Sequence, residues 1–143
     1  MSRGEARLAH AATFLVGVTG LYYGWMRYLA QPEDPFAIVN HPWQPHLLAA
    51  HILLAPLLVF ACALFWSDHV WKRVRSGFRA RRTTGLWLFA LFFVMVFSGY
   101  LIQTAVEEGW ELLWIWVHGV SSCLWLAAYM VHQLAGRKRA RRG

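Results

Sequence analysis

The sequence has few of the residues that a soluble protein places on its surface. Only 15% of its 143 residues are charged, seven are acidic, and two are cysteines. A hydrophobic fraction of 58% is too high for an ordinary soluble domain of this length. Two cysteines make neither a disulfide framework nor a zinc motif. No nucleophile–base pair or carboxylate dyad stands out, so hydrolytic catalysis has no support.

Long apolar runs occupy most of the chain instead. A helix needs about 20 mostly apolar residues to cross a bilayer, and inside lipid such a run must be helical to satisfy its backbone hydrogen bonds. The runs cover residues 8–29, 46–66, 85–104 and 110–134. The first run is interpreted as a retained helix, because bulky residues stand where a cleavage site would need small ones: Tyr22, Tyr23, Trp25 and Met26. The connections are short, which predicts one all-α domain, an integral membrane four-helix up-down-up-down bundle.

The basic residues predict the orientation of this bundle. Of the 14 Lys and Arg residues, 13 lie in three places: near the N-terminus, in the 72–82 loop, and in the basic C-terminal tail 136–143. Cytoplasmic loops carry the excess of basic residues. We therefore expect a multi-pass protein of a bacterial inner membrane with both termini in the cytoplasm. The net charge of +7 is then explained by contact with lipid headgroups, and nucleic acid is not an expected partner.

Histidines within the apolar runs are the most informative feature, since ionisable residues at membrane depth point to function. His118 and His132 are 14 residues apart, which puts them on almost the same face of one helix, about 21 Å apart along the axis. His51 lies at the depth of His118, and His10 at the depth of His132. A b-type haem takes two axial imidazoles, so these two pairs predict two haem b groups, with the histidines as iron ligands.

Two further observations bear on the inner site. Gly17 and Gly24 follow His10 at seven-residue steps, and this stripe without side chains would let a porphyrin lie close to the backbone. The same spacing is common in ordinary contacts between membrane helices. His69 is an alternative inner ligand to His10, because it shares a helix face with His51 at a lower level. In the competing interpretation, the histidines hydrogen-bond to neighbouring helices and bind nothing.

The arrangement resembles the cytochrome b membrane subunits of respiratory formate dehydrogenases (the gamma subunit) and nickel–iron hydrogenases. In that family one ligand comes from the first helix, one from the second, and two, 14 residues apart, from the fourth, which match His10, His51, His118 and His132. The resemblance implies an oxidoreductase subunit of a larger complex in a respiratory chain. It would transfer electrons across the membrane between the quinone pool and an extracytoplasmic redox partner such as a c-type cytochrome or a dehydrogenase. Quinone would then be a second cofactor beside the haems.

Other classes of membrane protein remain open. A haem-free membrane anchor or assembly subunit would use the histidines only for packing, and a metal transporter would use them as transient ligands. A di-iron lipid desaturase would need several closely spaced histidine clusters at the cytoplasmic face, which this sequence lacks. The electron-carrying cytochrome is the favoured hypothesis, and these alternatives are its rivals.

Overall fold

The computed structural model describes residues 2–32, 34, 36–64, 66–75 and 82–140, and within these ranges the chain is all-helical with no strand. The expected all-α class is confirmed. A π-helical segment, Trp66–Trp71, follows the second helix. The α-helices are α1 (Arg3–Tyr28), α2 (Gln44–Leu64), the single turn α3 (Lys72–Arg75), α4 (Arg82–Thr104) and α5 (Glu108–Ala140).

The start of α1 is set by a capping box and not by its apolar run. The Ser2 hydroxyl accepts a hydrogen bond from the backbone N–H of Glu5, and the Glu5 carboxylate accepts one from the backbone N–H of Ser2. This reciprocal pair satisfies two donors that a helix start otherwise leaves unpaired. The helix therefore begins five residues before the apolar stretch that predicted it.

The end of α5 also differs from the expected boundary. The apolar run ends at residue 134, but the helix continues to Ala140 and takes in much of the basic tail. Arg, Lys and Ala have high helix propensity, and positive charge is favourable at a helix C-terminus. The membrane-spanning part of α5 therefore ends where the polar tail begins, but the helix itself continues into the tail.

Three helices in the described ranges are long and apolar enough to cross a membrane: Gln44–Leu64, Thr83–Thr104 and Glu108–Leu134. The protein is thus a membrane protein, and its large exposed apolar side chains, such as Leu53 and Phe97, suit contact with lipid. With 26 residues α1 is long enough to span, but charged residues in its first turns and four glycines make it less apolar. A fourth crossing stays a prediction.

The chain forms two compact units, Met1–Trp71 and Lys72–Gly143. The first contains a hairpin of α1 and α2, called here the first hairpin. Its helices run antiparallel, and the amide of Asn40 donates to the carbonyl of Arg27 at 2.9 Å, which ties the connecting loop to the end of α1. Small buried residues such as Ala12 and Ala61 let the two backbones approach closely, as is usual between membrane helices.

The second unit contains a hairpin of α4 and α5, called here the second hairpin. Only residues 105–107 separate the two helices, so they also run antiparallel. Met95, Ser98, Ser121 and Trp125 are buried in its described part. How the two hairpins join into one four-helix bundle stays a prediction from the sequence.

Candidate functional site

His51 is held by two acceptors on the helix next to it. Its Nδ1 atom lies 3.1 Å from the main-chain carbonyl of Val16 and 3.3 Å from the hydroxyl of Thr19, both on α1. A carbonyl oxygen can only accept a hydrogen bond, so Nδ1 must carry the hydrogen in this contact. In the neutral ring the lone pair is then on Nε2, the nitrogen through which an imidazole could bind a metal.

A glycine on α1 makes room for the His51 ring. A Cβ atom built on Gly20 would lie 2.8 Å from Cε1 and 3.1 Å from Nδ1 of His51. This is closer than real Cβ contacts come, so any larger residue would push the ring away. Glycine also weakens a helix by about 0.5–1 kcal/mol relative to alanine, so its presence here has a cost that the close approach of the ring explains.

His118 has the same surroundings in the second hairpin. Its Nδ1 atom lies 2.9 Å from the carbonyl of Met95 and 3.5 Å from the hydroxyl of Ser98, both on α4. A Cβ on Gly99 would lie 3.1 Å from Cε1 of His118. Both hairpins thus place a histidine against a carbonyl, a hydroxyl three residues later, and a glycine directly after the hydroxyl.

The two hydroxyls play the same part in both places. Thr19 donates its hydrogen to the carbonyl of Leu15 at 2.8 Å, and Ser98 donates to the carbonyl of Val94 at 2.6 Å. Each is also within reach of the carbonyl that the histidine contacts. Since each hydroxyl hydrogen points back into its own helix, the oxygen is left to accept from the histidine.

His132 has a third pair of this kind. Its Nδ1 atom lies 3.0 Å from the hydroxyl of Thr84 on α4, and a Cβ on Gly85 would lie 3.9 Å from Cε1 of His132. The glycine contact is looser than the other two. A hydroxyl can both donate and accept, so this contact leaves the tautomer of His132 open.

The spacing of these groups is matched across the second hairpin. His118 and His132 are 14 residues apart on α5, and the glycines facing them are 14 apart on α4. Midway between the histidines, Trp125 is buried and donates its indole N–H to the carbonyl of Leu88 at 3.1 Å. One stripe of α5 therefore presents three rings at seven-residue steps, each with a ring nitrogen hydrogen-bonded to α4.

The remaining predicted site residues have different surroundings. His10 is exposed on the first hairpin. Gly17 and Gly24 are partly buried, and a Cβ on Gly24 would meet nothing within 4 Å. His69 belongs to the π-helical segment, and its side chain lies outside the described residues. The predicted pairs, His51 with His118 and His10 with His132, each take one member from each hairpin, so both pairings stay predictions.

In the part of the chain that the structure describes, neither a metal cluster nor a cavity indicates another site. Within the described ranges no three His, Cys, Asp or Glu side chains are grouped closely enough to hold a metal ion. A haem iron takes only two axial protein ligands and would not form such a group. An open cleft of about 270 Å³ lies at the start of α5, lined by Glu107, Gly109, Trp110 and Leu113. Both cysteines are free thiols.

No family model, no curated protein and no solved structure matches this chain. The resemblance to cytochrome b subunits therefore receives no support from these comparisons and depends on the histidines alone.

The glycine stripe in line with His10 did not predict the hydroxyl–glycine pairs that face His51, His118 and His132. The sequence does contain a signal, because Thr-Gly or Ser-Gly dipeptides stand inside two apolar runs and at the start of a third: Thr19–Gly20, Ser98–Gly99 and Thr84–Gly85. Both residue types are unfavourable in a helix interior. Three such dipeptides, each on a helix that packs against a histidine of the next helix, indicate that these small residues make room for the rings.

Proposed function

We propose that this protein is a b-type cytochrome of the membrane, holding two haems and transferring electrons between the quinone pool and an extracytoplasmic redox partner. The observation that carries the proposal is the anchoring of His51 and His118, whose Nδ1 atoms each contact a main-chain carbonyl on the neighbouring helix. Histidines that bind metals almost always donate their other ring N–H to a carbonyl, carboxylate or water, which fixes the ring and its tautomer.

The residues suit the group. Neutral imidazoles at membrane depth are the ligands of b-type haem, and the apolar helices around them supply a low dielectric. Haem, when bound, supplies one-electron chemistry, and the protein supplies ligands and orientation. In the proposal His51 and His118 are the outer ligands, and His10 and His132 are the inner ones, with His69 as the alternative to His10.

The 14 residues between His118 and His132 on α5 would place the two haems at two different depths in the membrane. At about 1.5 Å per residue, His118 and His132 lie about 21 Å apart along the helix. Both contact α4, which holds the two rings at fixed heights. Because a haem macrocycle is broad, the edges of two haems at these heights would be much closer to each other than the two histidines are. Electron transfer across a membrane requires such a short distance between haem edges.

The proposed partners follow from the ends of the molecule. Glu107, Glu108 and Glu111 are exposed at the start of α5. On the extracytoplasmic side this acidic turn would guide a basic partner such as a c-type cytochrome, because complementary charge steers association. The basic segments then face the cytoplasm of a bacterial inner membrane, and the chain would act within a larger respiratory complex.

A second candidate is a haem-free anchor or assembly subunit, or a metal transporter. The contacts of His51, His118 and His132 with α1 and α4 favour it in one respect: polar side chains in membrane helices often hydrogen-bond across a helix pair simply to hold it together. In that case the histidines would stabilise the hairpins and no cofactor would be bound.

Purified protein distinguishes the candidates. We expect a red preparation whose reduced spectrum has a b-type band and whose pyridine haemochrome assay gives two haems per chain. One haem per chain would exclude the two-site assignment, and a colourless preparation after expression with ample haem would exclude the cytochrome. Zinc or nickel retained by that colourless protein would favour the transporter, and absence of both would favour the anchor.

A further inference from the structure

The Nδ1 atoms of His51 and His118 each lie close to a main-chain carbonyl oxygen and a hydroxyl oxygen of the neighbouring helix. Next to His51 these are the Val16 carbonyl and the Thr19 oxygen, at 3.1 and 3.3 Å. The Thr19 hydrogen is directed to the carbonyls of Leu15 and Val16, at 2.8 and 3.1 Å. A hydroxyl whose hydrogen is engaged in this way cannot donate to the ring.

The second hairpin repeats the arrangement. Ser98 directs its hydrogen to the carbonyls of Val94 and Met95, at 2.6 and 3.0 Å, and its oxygen lies 3.5 Å from Nδ1 of His118. Ser98 is 1% exposed, so its bonds do not compete with water. Residues 16–20 and 95–99 differ in sequence, yet each stretch offers a carbonyl and a hydroxyl oxygen to the Nδ1 atom of a histidine.

We infer that Thr19 and Ser98 are positioning residues, which hold the imidazoles of His51 and His118 in the tautomer that carries its hydrogen on Nδ1. This inference rests on the proposed function for its purpose, since that tautomer places the lone pair of the ring on Nε2, the atom that would bind iron. The carbonyl alone would hold Nδ1 at one point. The hydroxyl adds a second acceptor three residues along the helix, and the two together restrict the direction in which the Nδ1–H bond points.

The hydroxyl also affects the strength of the ligand. A hydrogen bond from Nδ1 pushes electron density into the ring and raises its basicity toward a metal. A more basic imidazole stabilises the oxidised iron. Loss of the hydroxyl should therefore raise the reduction potential of the haem which that histidine binds.

The test replaces each hydroxyl by a side chain of similar shape, Thr19→Val and Ser98→Ala. Thr19→Ser and Ser98→Thr keep the hydroxyl and should restore the wild-type behaviour. Matched controls are Thr104→Val, which removes a hydroxyl that bonds back to Tyr100 and Leu101, and Ser121→Ala, which removes one that bonds to the main-chain carbonyl of His118.

The first measurement needs no cofactor. Nitrogen-15 NMR of labelled histidine rings in haem-free protein distinguishes the two tautomers, with His51→Gln and His118→Gln giving the assignment. Loss of one hydrogen bond should raise the minor tautomer about fivefold. We expect this rise for His51 in Thr19→Val, a smaller rise for His118 in Ser98→Ala because the Ser98 oxygen is 3.5 Å from Nδ1, and no change in the controls.

The second measurement is a redox titration of the haem-loaded protein. Each hydroxyl variant should raise a haem potential while leaving two haems bound. Unchanged tautomers and potentials in both variants would overturn the inference even if the wild type binds two haems. A wild type that binds no haem would overturn the proposed function even if the tautomers respond, so the two failures are distinguishable.

Discussion

His51 lies against Gly20 so closely that a single added methyl group would come within 2.8 Å of its Cε1 atom. A ring pushed away by that group would have to lengthen or break the hydrogen bond from its Nδ1 atom to the same helix. A glycine and a histidine on neighbouring helices therefore determine together where the Nε2 atom is presented.

The first prediction concerns the three glycines that face histidines. The clearance of a Cβ from the ring is 2.8 Å at Gly20, 3.1 Å at Gly99 and 3.9 Å at Gly85. Substitution by alanine should therefore reduce haem content most for Gly20→Ala, less for Gly99→Ala, and hardly at all for Gly85→Ala. The assay is the haemochrome count on purified protein.

Gly119→Ala is the control for this series, because a Cβ there meets nothing within 4 Å and the helix gains intrinsic propensity. Equal haem loss in all three variants, or a greater loss in Gly85→Ala than in Gly20→Ala, would show that ring clearance does not govern binding.

The second prediction concerns the ligand pairs. His51→Ala and His118→Ala should each lower the count from two haems to one, and they should remove the same spectral component, since both are proposed to bind one iron. The double variant should also keep one haem. If the single variants remove different components, His51 and His118 do not share an iron.

The inner ligand is decided by a separate comparison. His10→Ala should remove the haem that His132→Ala removes, and His69→Ala should leave it bound. The reverse result would assign His69 in place of His10. Both measurements use the reduced-minus-oxidised spectrum of the membrane fraction, so no variant has to survive purification.

The third prediction concerns Trp125, whose indole N–H donates to the carbonyl of Leu88. Trp125→Phe keeps most of the ring but removes the donor, and it should lower the free energy of unfolding by about 1 kcal/mol, the net contribution of one hydrogen bond. Unfolding in mixed detergent micelles measures the difference. Trp116→Phe is the control, since Trp116 is 66% exposed where Trp125 is 5% exposed; an equal loss in both would exclude the hydrogen bond as the cause.

The fourth prediction concerns Asn40, which joins the loop of the first hairpin to the end of α1. Its side-chain N–H₂ donates to the carbonyl of Arg27, and its backbone N–H donates to the side chain of Gln44. Asn40→Asp keeps the size but cannot donate to the carbonyl, so it should destabilise the protein by about 1 kcal/mol or more, and Asn40→Ala should do the same. Gln31→Ala, at an exposed loop position, should have little effect. Full stability of Asn40→Asp would mean that this bond is dispensable.

Helix positions followed closely from apolar run length, and their ends did not. The run 46–66 corresponds to α2 (Gln44–Leu64) and the run 85–104 to α4 (Arg82–Thr104). Hydrophobicity indicates which residues contact lipid. A helix ends where its backbone N–H and C=O groups form hydrogen bonds with partners outside the helix. The capping box at Ser2 and the helix-forming residues of the basic tail extended α1 and α5 beyond their apolar runs.

The candidate site was predictable in part. Spacing on one helix relates His118 to His132, because a helix has a fixed rise and rotation per residue. The contacts of these rings could not be predicted in the same way. Whether Ser98 or another small residue faces His118 depends on the relative rotation of α4 and α5, and no periodicity within a single run contains that information.

The sequence by itself determined the all-α class, the membrane-spanning helices and the 14-residue step between two histidines, since these depend on hydrophobicity and on the geometry of one helix. The tertiary structure decided which glycine makes room for which histidine, and that Val16 and Met95 offer their carbonyls to the rings. Such contacts depend on how two helices pack, where a rotation of one residue, about 100°, replaces every neighbour.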